Sequence, residues 1–387
     1  MRISVVTGLA LAGLIGVVGV VAFAASEPSA PPLGLPPVPI PEDNPQTPEK
    51  IALGEKLFND KRFSSTGEVS CATCHDPKKG LTDSPLKVSE GITKGDRKAT
   101  GTRNAPTVAN AVYFTHQFWD GRSPSLEDQA LHPPVNPVEM GLPSHQPILD
   151  IVRTDPEYVA AFNEVFGKSG EQVTMAEVTK AIAAFERTQV FANSAFDRYF
   201  YGGESAALTD QQKRGLVLFR NQGRCVACHR IEQTQALFTD NRFHNIGVGI
   251  NRIQGDVPEL AGEFMKSKAT LAEVDVKVLG DARTSELGRF AITKGFNDLG
   301  SFKTPTLRNV AVTAPYMHDG SVATLRDAVV HYNNGGVTNE GDPVNDFLSG
   351  GIRPLNLSED QIDELVAFME ALTSPEFASQ ATAAGVE

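Results

Sequence analysis

The sequence is poor in base, in cysteine and in tryptophan, and each shortage narrows what the chain can do. Lys and Arg number 35 against 47 Asp and Glu, a formal net charge of −12. Nucleic acid is therefore not an expected partner, since no basic excess offsets phosphate charge. Strand signals are weak and scattered, which argues against an all-β architecture. Only four cysteines occur, Cys71, Cys74, Cys225 and Cys228, and Trp119 is the one tryptophan. Histidine is absent between His75 and His116, and methionine between Met1 and Met140. Any role in those stretches that needs an imidazole or thioether has to be met from elsewhere.

What is present is ordinary for a soluble globular protein, with 41% apolar and 21% charged residues. A length of 387 residues suggests two domains. Residues 1–25 read as a secretory signal peptide: Arg2 opens it, an apolar run follows, and Ala22-Phe23-Ala24 meets the small-x-small cleavage rule. The run from Val5 to Ala25 is also long enough to serve as an uncleaved N-terminal membrane anchor. Both readings put the folded part outside the cytoplasm, and the periplasm is the expected compartment. Residues 26–48 are proline-rich and are expected to form an extended linker.

All four cysteines fall in two Cys-x-x-Cys-His motifs, ending at His75 and His229. That spacing lets two thiols form thioethers with haem vinyl groups while the adjacent histidine binds iron. Two matches that consume every cysteine point to two covalently bound haem c groups rather than a zinc site or a redox dithiol. The halves share a plan. GEKLF (54–58) precedes the first motif and GLVLF (215–219) the second. Capping boxes at Thr174/Glu177 and Ser358/Gln361 open a late helix in each half. A helix before the haem motif and another late in the domain is the layout of a class I cytochrome c. The expected fold is mainly α, with two class I cytochrome c-like domains at 49–205 and 206–387, one haem in each.

Further strings, GTRNAPTVANA, FWDGR, LEDQA, NPVEM, FKTPTLRNVAVTAPYMHDGS and HYNNGG, occur in order along the chain. Together they resemble the bacterial dihaem cytochrome c peroxidase family, including its MauG-like branch, from about residue 50 to 372. The resemblance implies a peroxidatic N-terminal haem and an electron-transfer C-terminal haem. Many relatives carry a distal histidine shortly after the first motif, where this chain has SEGITKGDRKATG. The expectation is an iron at His75 that is open or only water-bound on its far side. Lys87, Lys94, Lys98, His116 and His132 are the candidate substitutes. The family's distal carboxylate matches Glu139 and its amide matches Gln129, residues suited to moving a proton on bound peroxide and to hydrogen-bonding it. Arg122 is expected to pair with a haem propionate. Trp119 takes the relay position between the haems.

For the second haem, His229 is the proximal ligand. Met265, Met317, His244, His318, His331 and Tyr332 are the candidates opposite. The family places a methionine 17 residues after the proline of TAP, and counting from Pro315 lands on Tyr332. Leu325, Ala328, Val329 and Tyr332 recur at helical spacing, which turns Tyr332 toward the apolar face and His331 away from it. Phenolate is a hard anionic donor that favours ferric iron, so Tyr332 in place of methionine lowers the haem potential. Asn104, Thr313 and Pro315 match the family's calcium ligands. The implied activity is a dihaem peroxidase acting on hydrogen peroxide, MauG-like, with high-valent iron shared between haems. Its electron donor would be a small cytochrome c, a copper protein or a protein substrate, and the resemblance allows a homodimer. A conventional cytochrome c peroxidase and a non-enzymatic dihaem electron carrier are the alternatives.

Overall fold

In the computed structural model, residues 31–337 and 346–383 are described. The expected signal peptide or anchor at residues 1–25 lies outside them. Among the described residues no helix is long and apolar enough to cross a membrane. Six helices frame the chain: α1 (Pro48–Asn59), α2 (Met175–Glu186), α3 (Asp210–Arg220), α4 (Leu271–Gly280), α5 (Leu325–Asn333) and α6 (Glu359–Glu370). Further helices, among them Gln146–Thr154, Pro156–Phe166 and Val257–Lys266, fill the intervals, and among the described residues only two small two-stranded antiparallel sheets form. The mainly helical expectation is met.

Local chemistry starts these helices where the sequence predicts. Thr174 and Glu177 cap α2, with the Thr174 amide donating to Glu177 Oε2 at 2.8 Å. Ser358 and Gln361 cap α6 in the same reciprocal way. Proline stands at the first position of α1, where a missing amide costs nothing.

The internal repeat is carried by two helix crossings. α1 packs on α2 at Gly54, where an added Cβ would lie 1.9 Å from the Ala181 carbonyl oxygen. α3 packs on α6 at Gly215, where an added Cβ would lie 1.9 Å from the Glu364 carbonyl oxygen. Only glycine lets either pair of backbones approach so closely. One turn further on, Phe58 meets Phe185 with ring centroids 5.2 Å apart, and Phe219 meets Phe368 at 5.1 Å. The glycine and phenylalanine of GEKLF and GLVLF are thus the contact points of one motif used twice. A second repeat joins PTVAN (106–110) to PTLRN (305–309). Asn110 and Asn309 both take φ 62 and each opens a single 3₁₀ turn. Each turn leads to an Asp-Gly loop, FWDG in one half and YMHDG in the other, closed by the antiparallel bridges Gln117–Ser123 and Tyr316–Val322.

Three large apolar cores result among the described residues, beside two smaller clusters at Leu35/Tyr113 and Leu81/Phe377. The first gathers Leu53, Leu57, Phe58, Phe162 and Ile182. The second gathers Phe196, Phe219, Phe238, Ile362, Leu365 and Phe368. Phe196 lies ahead of the expected boundary at 205, so the helix Ala195–Phe200 packs with the second half. The third core was not anticipated: residues 250–299 form a helical excursion around Leu260, Phe264, Val278 and Phe290, with Val138 of the first half packed against it.

The described part of the expected 26–48 linker is a strap rather than a free tether. Leu35 is buried, and the Gly34 carbonyl accepts from Arg308 Nη2 and from the Ala236 amide. Asn44 is wholly buried and donates to Glu127 and to the Lys180 carbonyl. Proline-rich backbone leaves its carbonyls without internal partners, and here both halves capture them.

Candidate active site

The two attachment motifs adopt short helical turns, Cys71–Cys74 and Cys225–Ala227. His75 Nδ1 faces the Leu81 carbonyl at 3.2 Å, and His229 Nδ1 faces the Phe238 carbonyl at 2.9 Å. A ring nitrogen aimed at a carbonyl must carry the proton, which leaves the Nε2 lone pair of each ring for a metal. Leu81 and Phe238 both sit at positive φ, 57 and 51, so the same turn aims both carbonyls. Burial lowers the His75 pKa to about 4 and lowers that of His229, holding both imidazoles neutral. Burial also pushes the Cys74 and Cys225 thiols up to about 12 and Cys71 further still. None of the four is in a disulfide. Paired unoxidised thiols beside a neutral, oriented imidazole fit a covalently held haem in each half.

The segment SEGITKGDRKATG after the first motif contains a hairpin, β1 (Glu90–Lys94) and β2 (Arg97–Thr100). Lys87, Lys94 and Lys98 are exposed, and Lys98 pairs with Glu68 at 3.0 Å. His116 packs on Phe243 and hydrogen-bonds Thr115, while His132 packs edge-on to Phe118 and lies 3.5 Å from Asp128.

Glu139 belongs to the first attachment site. It is held in a turn in which its amide donates to the Asn136 carbonyl and its carbonyl accepts from Ile92. Its Oε2 is buried without a hydrogen-bond partner, and its charge bears on both Cys71 and Cys74. Burial, then the negative charge of Asp275, raise its pKa above the ordinary carboxyl range, against the pull of Arg122. Gln129 ends the short helix Leu126–Gln129, half-buried; its backbone amide donates to the Ser125 carbonyl, and its side-chain amide has no hydrogen-bond partner among the described residues.

Arg122 is built into an ion network. Its Nη1 donates to Asp120 at 2.9 Å, its Nη2 lies 2.6 Å from Asp275 Oδ1, and its guanidinium stacks 3.5 Å from the Phe118 ring centroid. Arg103 meets Asp120 at 2.5 Å. Nε of Arg122 is buried without a hydrogen-bond partner, so a propionate would meet that donor rather than a free fork. Asp275 was missed by sequence reasoning. It sits on α4 of the excursion, and no local signal ties it to NPVEM.

Trp119 stands at the seam between halves. Its indole Nε1 donates to the Asn104 carbonyl at 2.9 Å, and its own carbonyl accepts from the Lys303 amide at 2.7 Å. Lys303 is buried with its ammonium on the Phe114 ring, and burial lowers its pKa to about 7. The Asn104 side-chain amide faces the Leu86 and Lys87 carbonyls, leaving Oδ1 as its acceptor, and its backbone amide donates to His318. Thr313 Oγ1 donates to the Val310 carbonyl, and Pro315 follows a cis bond. The oxygens at Asn104, Thr313 and Pro315 are hard donors of the kind Ca²⁺ takes.

In the second half the Cys225 and Cys228 thiols both bear on the Tyr332 hydroxyl, and burial keeps it protonated. His331 does point elsewhere, with Nε2 at 2.8 Å from the Ile246 carbonyl, but it is the more deeply buried of the two. Both flanks of α5 are covered, so burial alone does not distinguish them. The other candidates are engaged or remote. Met265 is 49% exposed, His318 is paired with Glu286 and stacked on Phe302, and His244 is paired with Asp240 beside Cys228. Met317 lies half-buried in the Asp-Gly loop at φ 74.

Comparison with known proteins agrees with this geometry. Residues 48–205 match the family model for di-haem cytochrome c peroxidase. A cytochrome-c peroxidase of Denitromonas iodatirespirans is 36% identical over 91% of this chain and 89% of its own. The methylamine utilization protein MauG of Methylorubrum extorquens is 37% identical over 87% of this chain and 81% of its own. The crystal structure of a MauG-like protein associated with microbial copper homeostasis superposes with a TM-score of 0.69 at 31% identity, over 90% of this chain and 97% of that one. The chain belongs to the di-haem cytochrome c peroxidase family, as an oxidoreductase with two haem c groups that acts on hydrogen peroxide with an external electron donor.

Proposed function

We propose that this is a periplasmic, MauG-like peroxidase that reduces peroxide at the His75 site, with electrons delivered through the His229 site. Each half is read as a class I cytochrome c-like domain. When bound, the two haems supply the two electrons that convert hydrogen peroxide and two protons to two waters, and they share the resulting oxidising equivalents. The observation that carries the reading is Glu139, a buried carboxyl with an unpartnered oxygen in the field of Cys71 and Cys74.

Glu139 is the residue that takes the proton from one peroxide oxygen and returns it to the other. Gln129 offers an amide to hydrogen-bond the same ligand. Arg122 holds the turn and offers Nε to a propionate. Trp119 links the halves through its indole and its carbonyl. Tyr332 binds the second iron as phenolate. A phenol this buried stays neutral unless a cation replaces its proton, as a ferric iron held there would. Asn104, Thr313 and Pro315 bind calcium at the seam. The donor is a small cytochrome c, a copper protein or a protein substrate, and a homodimer is compatible with this reading.

The test is stopped-flow absorbance of the fully oxidised holoprotein mixed with hydrogen peroxide and no reductant. A rapid spectral change at both haems is expected. No change until one haem is reduced would replace this reading with a reductively activated cytochrome c peroxidase. Glu139→Gln is expected to slow the change by about 10²–10⁴-fold, the range of a lost general acid–base group.

A further inference from the structure

The ion network beside Glu139 has a charge balance that bears on how the carboxyl works, given its reading as the acid–base residue. Arg103, Asp120, Arg122 and Asp275 alternate in sign, and their side chains are at most 3% exposed. Two guanidinium groups cancel two carboxylates. An ionised Glu139 would leave one uncompensated negative charge in a buried site, because Arg122 is already taken by Asp120 and Asp275. Asn136 ties the turn that carries Glu139 to the Asp275 carboxyl. Its carbonyl accepts from the Glu139 amide at 3.1 Å, and its Nδ2 donates to Asp275 Oδ2 at 2.6 Å. The groups facing Glu139 are therefore Arg122 from the FWDGR loop, Asp275 from α4, and the two thiols of the attachment motif, with Asp120 and Arg103 behind Arg122.

We propose that Asp275 is a positioning residue for the peroxide reaction: by occupying Arg122 it withholds the guanidinium from Glu139 and leaves that carboxyl unpaired, ready to take and return the peroxide proton. The excursion of the second half thereby controls the chemistry of the first. Asp275 does not touch the reacting atoms, and its effect is read in the pH profile rather than in the rate alone. The direction follows from the charge. Removing the carboxylate at 275 makes Glu139 easier to ionise and frees a guanidinium nitrogen to pair with it. The midpoint moves to lower pH whichever protonation form of Glu139 is the active one.

The experiment is the pH dependence of the peroxide reaction in holoenzyme of wild type, Asp275→Asn, Asp275→Glu and Glu139→Gln. Asp275→Asn is expected to lower the midpoint by at least about one pH unit, the scale of a neighbouring charge. Asp275→Glu, which keeps the charge, should restore the wild-type midpoint. An unchanged midpoint in Asp275→Asn, with the pH dependence abolished in Glu139→Gln, overturns the proposal and leaves Glu139 in its role. An unchanged profile in Glu139→Gln instead removes Glu139 from the reaction, and this proposal with it. Infrared difference spectra of wild type against Glu139→Gln give a readout that needs no variant at 275. A protonated-carboxyl band on the low-pH side of the midpoint, lost in Glu139→Gln, is expected, and its absence overturns the proposal.

Discussion

Tyr332 and His331 are sequence neighbours with different tasks. The imidazole is bonded to the Ile246 carbonyl, while the phenol lies in the field of the Cys225 and Cys228 thiols. Tyr332→Phe is expected to alter the optical and electron-paramagnetic spectra of the second haem and leave those of the first unchanged. Identical spectra would make Tyr332 a packing residue. Glu186, whose charge bears on the Cys71 thiol, provides a stability test in the first half. It is buried with Oε2 unpartnered, and burial raises its pKa from 4.5 to about 8. Folding therefore takes up a proton in that window, and stability falls as pH rises through it, by at most about 1.4 kcal/mol per pH unit for this one group. Glu139 contributes with the same sign. Glu186→Gln is expected to flatten the decline in denaturation midpoint between pH 5 and about 8 without abolishing it. A slope equal to that of wild type would show that Glu186 titrates normally.

At the scale of elements, the two helix crossings are the features most readable in advance. Glycine and phenylalanine recur at the same spacing ahead of each attachment motif, and the contacts they make are the ones such spacing allows. Gly54→Ala and Gly215→Ala each drive a methyl into a carbonyl, and each is expected to cost about 1–3 kcal/mol in chemical denaturation. A neutral result at either site would mean that the helices can separate without loss. The attachment motifs and the caps of α2 and α6 were legible for the same reason: their signals are local, three or four residues long. The placement of α4 was not. Its contact with the first half depends on Asp275 meeting Arg122 and Asn136, residues distant in the chain whose types suit many surfaces. Burial of Tyr332 was also misjudged as a criterion, because periodicity reports one covered flank of α5 and the chain covers two.

For the whole molecule, one guanidinium links the strap to both sides of the second core. Arg308 bonds both oxygens of Asp197, at 2.8 and 2.9 Å, and also the Gly34 and Ala236 carbonyls. The ion pair is almost wholly buried, at 1% and 0% side-chain exposure. Removing one member of such a pair strands the other charge, so Arg308→Ala is expected to lose about 3–5 kcal/mol. Limited proteolysis should then cut first near residue 34. Full stability in this variant would show that the strap is held by Leu35 and Asn44 alone. The arrangement also imposes an order on biosynthesis. Gly34 leaves the ribosome long before Arg308, so the leading end of the chain stays unlocked until most of the second half has been made. Both pairs of thiols, at 71 and 74 and at 225 and 228, precede Arg308 as well, and all four remain reachable for haem attachment until that late residue arrives to close the molecule.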